Sequence, residues 1–281
     1  MARIHCDPSL GNALEFEDVT LTMPRRRRRK GGGRSDRLRR LAQETSKVDE
    51  QVYGNLTFTV APGEAVALIG RQPKDSTVEL IRLAAGTLIP DHGHVRRRDV
   101  ILPILRRAGL VNAKLTVRQN IFVIGILLGL SPEQINERMD WIVTTAGLSR
   151  ALDSYARACP PELRRRIVWT VSMAADAKAY ATQGSLIVGD DSYREVGWQH
   201  VEELKEQGAT FLVAGQNARV MERFCTRALV IGDGQVILDG TVEEALNLVG
   251  RGQVKEDEDD AAEDAVDLLD SSAERDEWRA D

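Results

Sequence analysis

Gly70, Ser76 and Thr77 stand between a short apolar run, Ala65 to Ile69, and a segment whose apolar residues recur at helical spacing. Loops that bind phosphate use glycine so that backbone N–H groups can wrap the anion, and they use Ser or Thr to hold Mg²⁺. A lysine in the same loop meets the β- and γ-phosphate oxygens. We therefore predict a strand, a phosphate-type loop and the start of a helix, in that order.

The middle of this loop departs from the phosphate-binding pattern. The interval between Gly70 and Ser76 is one residue shorter than the pattern requires. Alignment from the Ser-Thr end puts Lys74 at the second glycine and Asp75 at the lysine, while Pro73 removes one backbone donor. A carboxylate close to a phosphate costs about 4 kcal/mol for each pair of charges at an effective dielectric constant of about 20. Lys74 can turn toward a phosphate instead, so the residues alone leave a compensated loop open.

Charge is distributed unevenly along the 281-residue chain, whose formal net charge is −5. Arginine dominates the block from Arg25 to Lys30 and continues to Arg40, whereas Glu256 to Asp281 is strongly acidic. The basic block cannot bury itself, which favours a solvated insertion over residues 24–50. Contact of Arg25 to Lys30 with anionic lipid is the alternative, worth on the order of 1 kcal/mol for each cation. Nucleic-acid binding is not expected, because no aromatic residues are interleaved to stack on bases.

Composition and cysteine use predict a protein of a reducing compartment. Hydrophobic residues make up 42% of the chain, enough for the core of one large or two small domains. The three cysteines are far apart and form no C-x-x-C pair, so neither disulfides nor a zinc site is indicated. No signal-peptide pattern opens the chain, and the most apolar run, Ile121 to Leu130, is too short to cross a bilayer. We predict a cytoplasmic protein, either soluble or peripheral to a membrane.

Local patterns predict the elements that would position the loop. Leu14 to Met23 and Leu56 to Val60 alternate apolar and polar residues, which is typical of half-buried strands. Ser131 precedes a proline, and a glutamine follows at the capping-box position, so a helix is predicted from Pro132. Its apolar residues recur on one side, which favours core packing. Further along, Gly232-Asp233-Gly234 predicts a hairpin between two strands.

The order of these segments resembles that of the nucleotide-binding subunit of an ABC transporter. The resemblance rests on GEAVALIG, the Ser-Thr helix, AAGTLIPDHG and LTVRQNIFVIGILLGLS, and it covers Leu14 to Leu248. The last of these segments and the basic insertion are most similar to the subfamily that exports polysaccharides such as O-antigen, teichoic acid or capsule. The resemblance implies an α/β fold, namely an ABC-type P-loop ATPase domain with a mixed sheet and an α-helical subdomain.

The same resemblance implies a division of the chain. Residues 1–13 would form an N-terminal arm, residues 14–250 the ATPase-like domain, and residues 251–281 an acidic disordered tail. The helical subdomain would occupy about 115–165, and in this family it meets the membrane-spanning partner.

Nucleotide-binding roles are implied for individual residues. Gly70, Lys74, Ser76 and Thr77 correspond to the loop that binds the phosphates of ATP. Tyr53 corresponds to an aromatic residue that stacks on adenine, with a half-buried strand tyrosine as the alternative. Because the loop departs from the pattern, binding of ATP and Mg²⁺ is expected to be weak.

Metal and catalytic roles are implied in the same way. Ser76 and Asp190 would be the Mg²⁺ ligands. Ser185 to Asp191 is similar to the apolar strand that ends in Asp-Glu, with Asp191 in place of the general base. Its side chain is shorter by one methylene, and a misplacement of about 1 Å can cost about a hundredfold in rate. Gln216 corresponds to the switch histidine, and glutamine can hydrogen-bond but cannot transfer a proton as histidine does.

Ala158 to Glu162 stands at the place of the signature sequence, where this family has a serine and glycines at a helix start. In the family that helix start binds the γ-phosphate held by the other subunit. Pro160 and Pro161 replace the glycines and remove N–H donors. With the charge of Glu162, these residues predict a surface that repels phosphate, and an ordinary proline-initiated helix fits them better.

The sequence keeps the segments that build the scaffold and alters those that carry the chemistry. The leading interpretation is a degenerate ABC-transporter nucleotide-binding subunit, non-hydrolysing or weakly active, with a structural or regulatory role in polysaccharide or glycoconjugate export. The alternative is a genuine ATP-hydrolysing subunit that works in a composite dimer. Expected partners are a membrane-spanning transporter subunit and a second ATPase subunit, in a homodimer or heterodimer on the inner face of the cell membrane. A third interpretation, an anion-binding scaffold, is tested by deleting Arg25 to Arg40 and measuring association with anionic liposomes at low and high salt.

Overall fold

The computed structural model describes residues 6–25, 48–72, 75–104, 108–184, 186–215 and 218–250. Within these ranges the strands are β1 (Leu14–Arg25), β2 (Val48–Val60), β3 (Ala65–Gly70), β4 (His92–Arg97), β5 (Ile101–Pro103), β6 (Ala179–Gln183), β7 (Thr210–Ala214), β8 (Arg227–Gly232) and β9 (Gln235–Gly240). The strands predicted at Leu14 to Met23 and at Leu56 to Val60 are confirmed as parts of β1 and β2. The predicted hairpin between β8 and β9 is also confirmed. Most of the basic insertion and the acidic tail lie outside the described residues, so what was predicted for them stays a prediction.

The strands form two sheets. A three-stranded antiparallel sheet has the order β2-β1-β4, and a six-stranded sheet has the order β5-β6-β7-β3-β8-β9. In the larger sheet β9 runs antiparallel to β8, and the other neighbours are parallel. The carboxyl ends of the parallel strands therefore meet at one edge, where ligands bind in open α/β sheets. The predicted α/β class with a mixed sheet is confirmed.

Helices cover both faces of the larger sheet and form a separate layer beside it. They are α1 (Val78–Ala84), α2 (Val117–Leu127), α3 (Pro132–Thr145), α4 (Pro161–Met173), α5 (Asp191–Glu206), α6 (Ala218–Phe224) and α7 (Val242–Val249). None of the helices in the described ranges is both long and apolar enough to cross a membrane. Helices α2, α3 and α4 enclose their own apolar cluster, as expected of a helical subdomain.

Alternation along β3 places its side chains in two different cores. Val66 and Leu68 point toward the small sheet and α1, whereas Ala65, Ala67 and Ile69 point toward α5, α6 and α7. Successive side chains of a strand face opposite sides, so a buried strand must be apolar throughout. The loop that follows β3 is therefore anchored in the centre of the molecule.

Arg97 fastens α1 to the small sheet. Its Nε donates to the carbonyl oxygen of Ala84 at 2.6 Å, and its guanidinium also donates to the carbonyl of Leu83. These carbonyls belong to the last turn of α1, where backbone carbonyl groups have no N–H partner within the helix. Burial lowers the pKa of Arg97, and a cation at a helix C-terminus is favoured by the helix dipole. Arg97 thus fixes the helix that starts at the loop.

The predicted start of α3 is confirmed in detail. Ser131 Oγ accepts from the backbone N–H of Gln134 at 3.3 Å, and the Gln134 side chain accepts from the backbone N–H of Ser131 at 2.9 Å. Pro132 is the first helical residue, and Ile135, Met139 and Ile142 are buried as predicted.

Candidate functional site

The loop after β3 folds back on Gly70. A Cβ added at Gly70 would overlap the carbonyl oxygen of Asp75, so only glycine fits here. The backbone N–H of Asp75 donates to the carbonyl of Gln72 at 2.9 Å, and the backbone N–H of Gln72 donates to Asp75 Oδ2 at 3.0 Å. The space beside Gly70 is therefore filled by the loop itself.

Two hydrogen bonds join this loop to the hairpin between β8 and β9. The backbone N–H of Asp233 donates to Asp75 Oδ1 at 3.2 Å, and the N–H of Arg71 donates to the carbonyl of Ile231 at 2.8 Å. The Asp75 carboxylate thus accepts from two backbone donors that lie far apart in sequence. Lys74 lies outside the described residues, so its compensating role stays a prediction.

Ser76 and Thr77 lie at the start of α1, as predicted. The Ser76 hydroxyl accepts from the backbone N–H of Val78 at 3.3 Å, which is a local bond within the first turn. Thr77 is the residue that precedes the helix, and its side chain makes no capping hydrogen bond. The structure brings Gly70, Ser76 and Thr77 together, and their contacts are with the protein's own backbone.

Tyr53 is a core residue of β2. Its side chain is 0% exposed, and its hydroxyl donates to the carbonyl of Ser76 at 2.6 Å. Burial, with a smaller contribution from the nearby Glu79, raises the pKa of Tyr53 above its ordinary value, so the hydroxyl remains a donor at neutral pH. A ring that stacks on adenine needs an exposed face. The adenine-stacking role is therefore wrong in this conformation, and the strand alternative holds.

Of the strand predicted at Ser185 to Asp191, the described part, residues 186–191, forms no strand. The sheet uses Ala179–Gln183 as β6 instead, and the apolar residues of Leu186 to Val188 are buried in the core after that strand has ended. Both segments suit a buried strand locally, and pairing with β5 and β7 selects the earlier one. The placement of Asp190 and Asp191 at a strand end is therefore wrong.

Asp190 caps a helix and pairs with an arginine. Its Oδ1 accepts from the backbone N–H of Tyr193 at 3.1 Å, as the residue preceding α5. Its Oδ2 lies 2.5 Å from a guanidinium nitrogen of Arg166 on α4. Asp191 is the first residue of α5. These contacts are those of a structural carboxylate.

Strand β6 ends at Gln183 and Gly184 follows it, two residues to which the sequence pattern assigns no role. Gly184 has φ of 77°, in the region that favours glycine, and its N–H donates to the carbonyl of Ala214 at 2.6 Å. The end of β7 lies close by, because a Cβ at Gly215 would be 2.8 Å from the Gly184 nitrogen. The available signal was Gly184 itself, which marks a turn before the apolar run. Gln216 lies outside the described residues and stays a prediction.

The start of α4 is a proline-initiated helix, as expected. Pro160 precedes it and Pro161 is its first residue, without a side-chain cap. Glu162 lies 2.5 Å from a guanidinium nitrogen of Arg165 and 3.8 Å from Arg166. The expectation that Glu162 makes this surface negative is therefore wrong, because pairs at i,i+3 and i,i+4 neutralise it.

Sequence comparison shows which known proteins this chain is similar to. The O-antigen export system ATP-binding protein RfbB of Klebsiella pneumoniae is 29% identical over 194 residues, which are 69% of this chain and 78% of the relative. The ABC transporter protein AbcA of Aeromonas salmonicida is 26% identical over 68% of this chain. The chain is a homologue of ABC transporter ATP-binding subunits. No protein-family model matches the sequence.

Coverage and structural likeness define how far this homology extends. The matched region is 61% of AbcA and 37% of the teichoic acids export ATP-binding protein TagH of Bacillus anthracis, so the chain spans only part of these two relatives. An ATP-binding subunit of an ABC transporter superposes with a TM-score of 0.64 at 19% identity, covering 85% of this chain and 94% of that one. A dimeric cassette bound to ADP and Pi gives 0.61 at 17% identity. The fold is that of an ABC ATPase cassette.

The described residues of this cassette do not fit ATP and Mg²⁺ in the way the resemblance implies. The space beside Gly70 is filled by the carbonyl of Asp75, and the N–H groups of Gln72 and Asp233 already bind a carboxylate. The strand beside β7 ends at Gln183 and is followed by Gly184, whereas the strand that the resemblance implies ends in Asp-Glu. A neutral amide and a glycine supply neither a charged Mg²⁺ ligand nor a general base.

Proposed function

We propose that this cassette is a non-hydrolysing or weakly active ATP-binding subunit homologue with a structural or regulatory role in the export of a polysaccharide or glycoconjugate. Homology to ATP-binding subunits named for O-antigen and teichoic acid export supports the class of transporter. The observation that carries the proposal is the end of β6. Strand β6 pairs with β7, which in turn pairs with β3, the strand that leads into the loop. Gln183 and Gly184 lie at this end of β6, and neither has a carboxylate. Weak binding of ATP and Mg²⁺ is part of the proposal.

The backbone conformation of Gly184 supports the proposal, because it disfavours any residue with a carboxylate side chain at this position. At φ of 77° any residue with a Cβ is strained, at a cost of about 1–3 kcal/mol. A residue with a carboxylate at this position would therefore be strained unless the strand end changed its conformation. General acid–base catalysis contributes a factor of about 10²–10⁴ to the rate, so its loss alone should slow ATP turnover by about that factor.

ATP turnover by the purified chain tests the proposal directly. Phosphate release is expected at background, and normal stand-alone ATPase activity would overturn it. The double variant Gln183→Asp with Gly184→Glu is expected to stay at background as well. Gly184→Glu alone should lower the free energy of unfolding by about 1–3 kcal/mol.

Gly11→Glu is the matched control for this series. Gly11 is exposed, has no atom within 4 Å of an added Cβ and does not adopt a left-handed conformation, so the same added charge should be nearly neutral. A double variant that gains a hundredfold in turnover would contradict the backbone argument.

The exposed face of α2 is the proposed contact with a membrane-spanning transporter subunit. Val123, Ile126 and Leu127 are 42%, 53% and 74% exposed on the helical subdomain. Contiguous exposed apolar residues are typical of interaction surfaces. The double variant Ile126→Glu with Leu127→Glu should abolish co-purification with the transporter subunit and leave the melting temperature unchanged. Retained co-purification would place the contact elsewhere.

The composite-dimer alternative has one observation in its favour. Because Glu162 is paired with Arg165 and Arg166, the start of α4 is not negatively charged and does not repel a phosphate held by a partner. Pro160 and Pro161 still lack the N–H donors that this contact uses. Turnover that appears only when the chain is mixed with an active ATPase subunit, and exceeds that of the active subunit alone, would favour the alternative.

A further inference from the structure

The Asp75 carboxylate is bound by backbone N–H groups, one from the loop itself and one from the turn between β8 and β9. Each of its two oxygens accepts a backbone N–H, at 3.0 Å from Gln72 and at 3.2 Å from Asp233. Convergent backbone N–H groups in turns are anion-binding features, and hydrogen bonds to a charged acceptor are about twice as strong as neutral ones. The anion here is part of the chain.

A set of hydrogen bonds that includes this carboxylate links three separate segments around the loop. Asp233 lies at the turn between β8 and β9, and the next residue, Gly234, accepts at its carbonyl from the N–H of Gly54 on β2 at 3.0 Å. Tyr53, beside Gly54, donates back to the carbonyl of Ser76 at 2.6 Å. Loop, hairpin and β2 are therefore joined in a closed ring of hydrogen bonds, and the Asp75 carboxylate is a charged acceptor in that ring.

An anion carried on the loop competes efficiently with a free one. Its binding to Gln72 and Asp233 is intramolecular, so it loses no translational freedom, whereas a free anion must also displace it. The second reciprocal bond, from Asp75 N–H to the carbonyl of Gln72, holds the carboxylate in place. A phosphate must therefore break the hydrogen bonds from Gln72 N–H and Asp233 N–H to the Asp75 carboxylate before it can bind these donors.

We propose that Asp75 is a built-in anion that closes the phosphate loop by occupying the N–H groups of Gln72 and Asp233 and locking the loop to the β8–β9 hairpin. This rests on the proposed function, because it names the group that keeps the loop of a non-hydrolysing cassette closed. Removing the carboxylate opens a site for a phosphate-type anion.

Inorganic pyrophosphate is the probe that tests this closure. In calorimetry on the full chain, Asp75→Ala should bind pyrophosphate at least tenfold more tightly than the natural protein does. Asp75→Asn keeps one acceptor oxygen and should fall between them. Asp140→Ala is the matched control, because Asp140 is exposed on α3 and its removal changes the net charge by the same amount.

The outcomes separate closure from the proposed function. If Asp75→Ala is folded and binds pyrophosphate no better than Asp140→Ala, the closure is wrong, whatever the ATPase result. If the natural chain hydrolyses ATP, the proposed function fails independently. Should Asp75→Ala fail to fold, hydrogen exchange in Asp75→Asn decides: faster exchange at the Gln72 and Asp233 amides supports the lock, and unchanged exchange overturns it.

Discussion

Replacing Arg71 to Asp75 with a full-length glycine-lysine loop is expected to raise the affinity for Mg-ATP from undetectable to a micromolar dissociation constant. That corresponds to about −8 kcal/mol of binding free energy. The repaired loop restores a lysine for the phosphates, supplies glycine N–H donors and removes the Asp75 carboxylate that occupies them. Calorimetry on the natural and repaired chains measures the difference.

The repaired loop is expected to bind without hydrolysing. The end of β6 is unchanged in this variant, so Gln183 and Gly184 still supply no carboxylate. The matched control carries the same loop with alanine in place of its lysine and should bind at least about tenfold more weakly. If the natural chain already binds at micromolar strength, Lys74 compensates for Asp75, and the composite-dimer alternative becomes the better account.

Trp169→Ala should lower the free energy of unfolding by about 4 kcal/mol, the largest effect we expect from one substitution in the described core. Trp169 is 0% exposed on α4, and its Nε1 donates to the carbonyl of Leu186 at 3.0 Å. Its ring lies edge-on to Tyr193 at 5.8 Å. The substitution leaves a large cavity and an unpaired carbonyl where α4, α5 and the segment after β6 meet. Urea unfolding followed by fluorescence and circular dichroism measures the loss.

Trp169→Phe separates packing from hydrogen bonding. It keeps most of the ring but leaves the Leu186 carbonyl without its donor, so a cost of about 1–3 kcal/mol is expected. A loss below about 1 kcal/mol for Trp169→Ala would mean that Leu186 is not packed as described. That result would again favour the strand predicted at Ser185 to Asp191.

Features that depend on neighbouring residues were predictable from the sequence. The capping box at Ser131, the proline start at Pro161 and the turn at Gly232 to Gly234 are each determined by a few adjacent positions. The neutralisation of Glu162 was predictable in the same way, since arginines stand three and four residues later. The order of apolar and glycine-rich segments was sufficient for the α/β class and the ABC ATPase resemblance.

Features that depend on distant residues were decided by the tertiary structure. Ala179–Gln183 and Ser185 to Asp191 both suit a buried strand, and only the pairing of the first with β5 and β7 excludes the second. Alternation in β2 could not tell whether Tyr53 faces solvent or α1, because that depends on what covers the strand. The contact between Asp75 and Asp233 spans 158 positions. The sequence by itself determined the scaffold, because local patterns encode elements, whereas the state of the loop and strand ends was decided by long-range contacts that no local pattern contains.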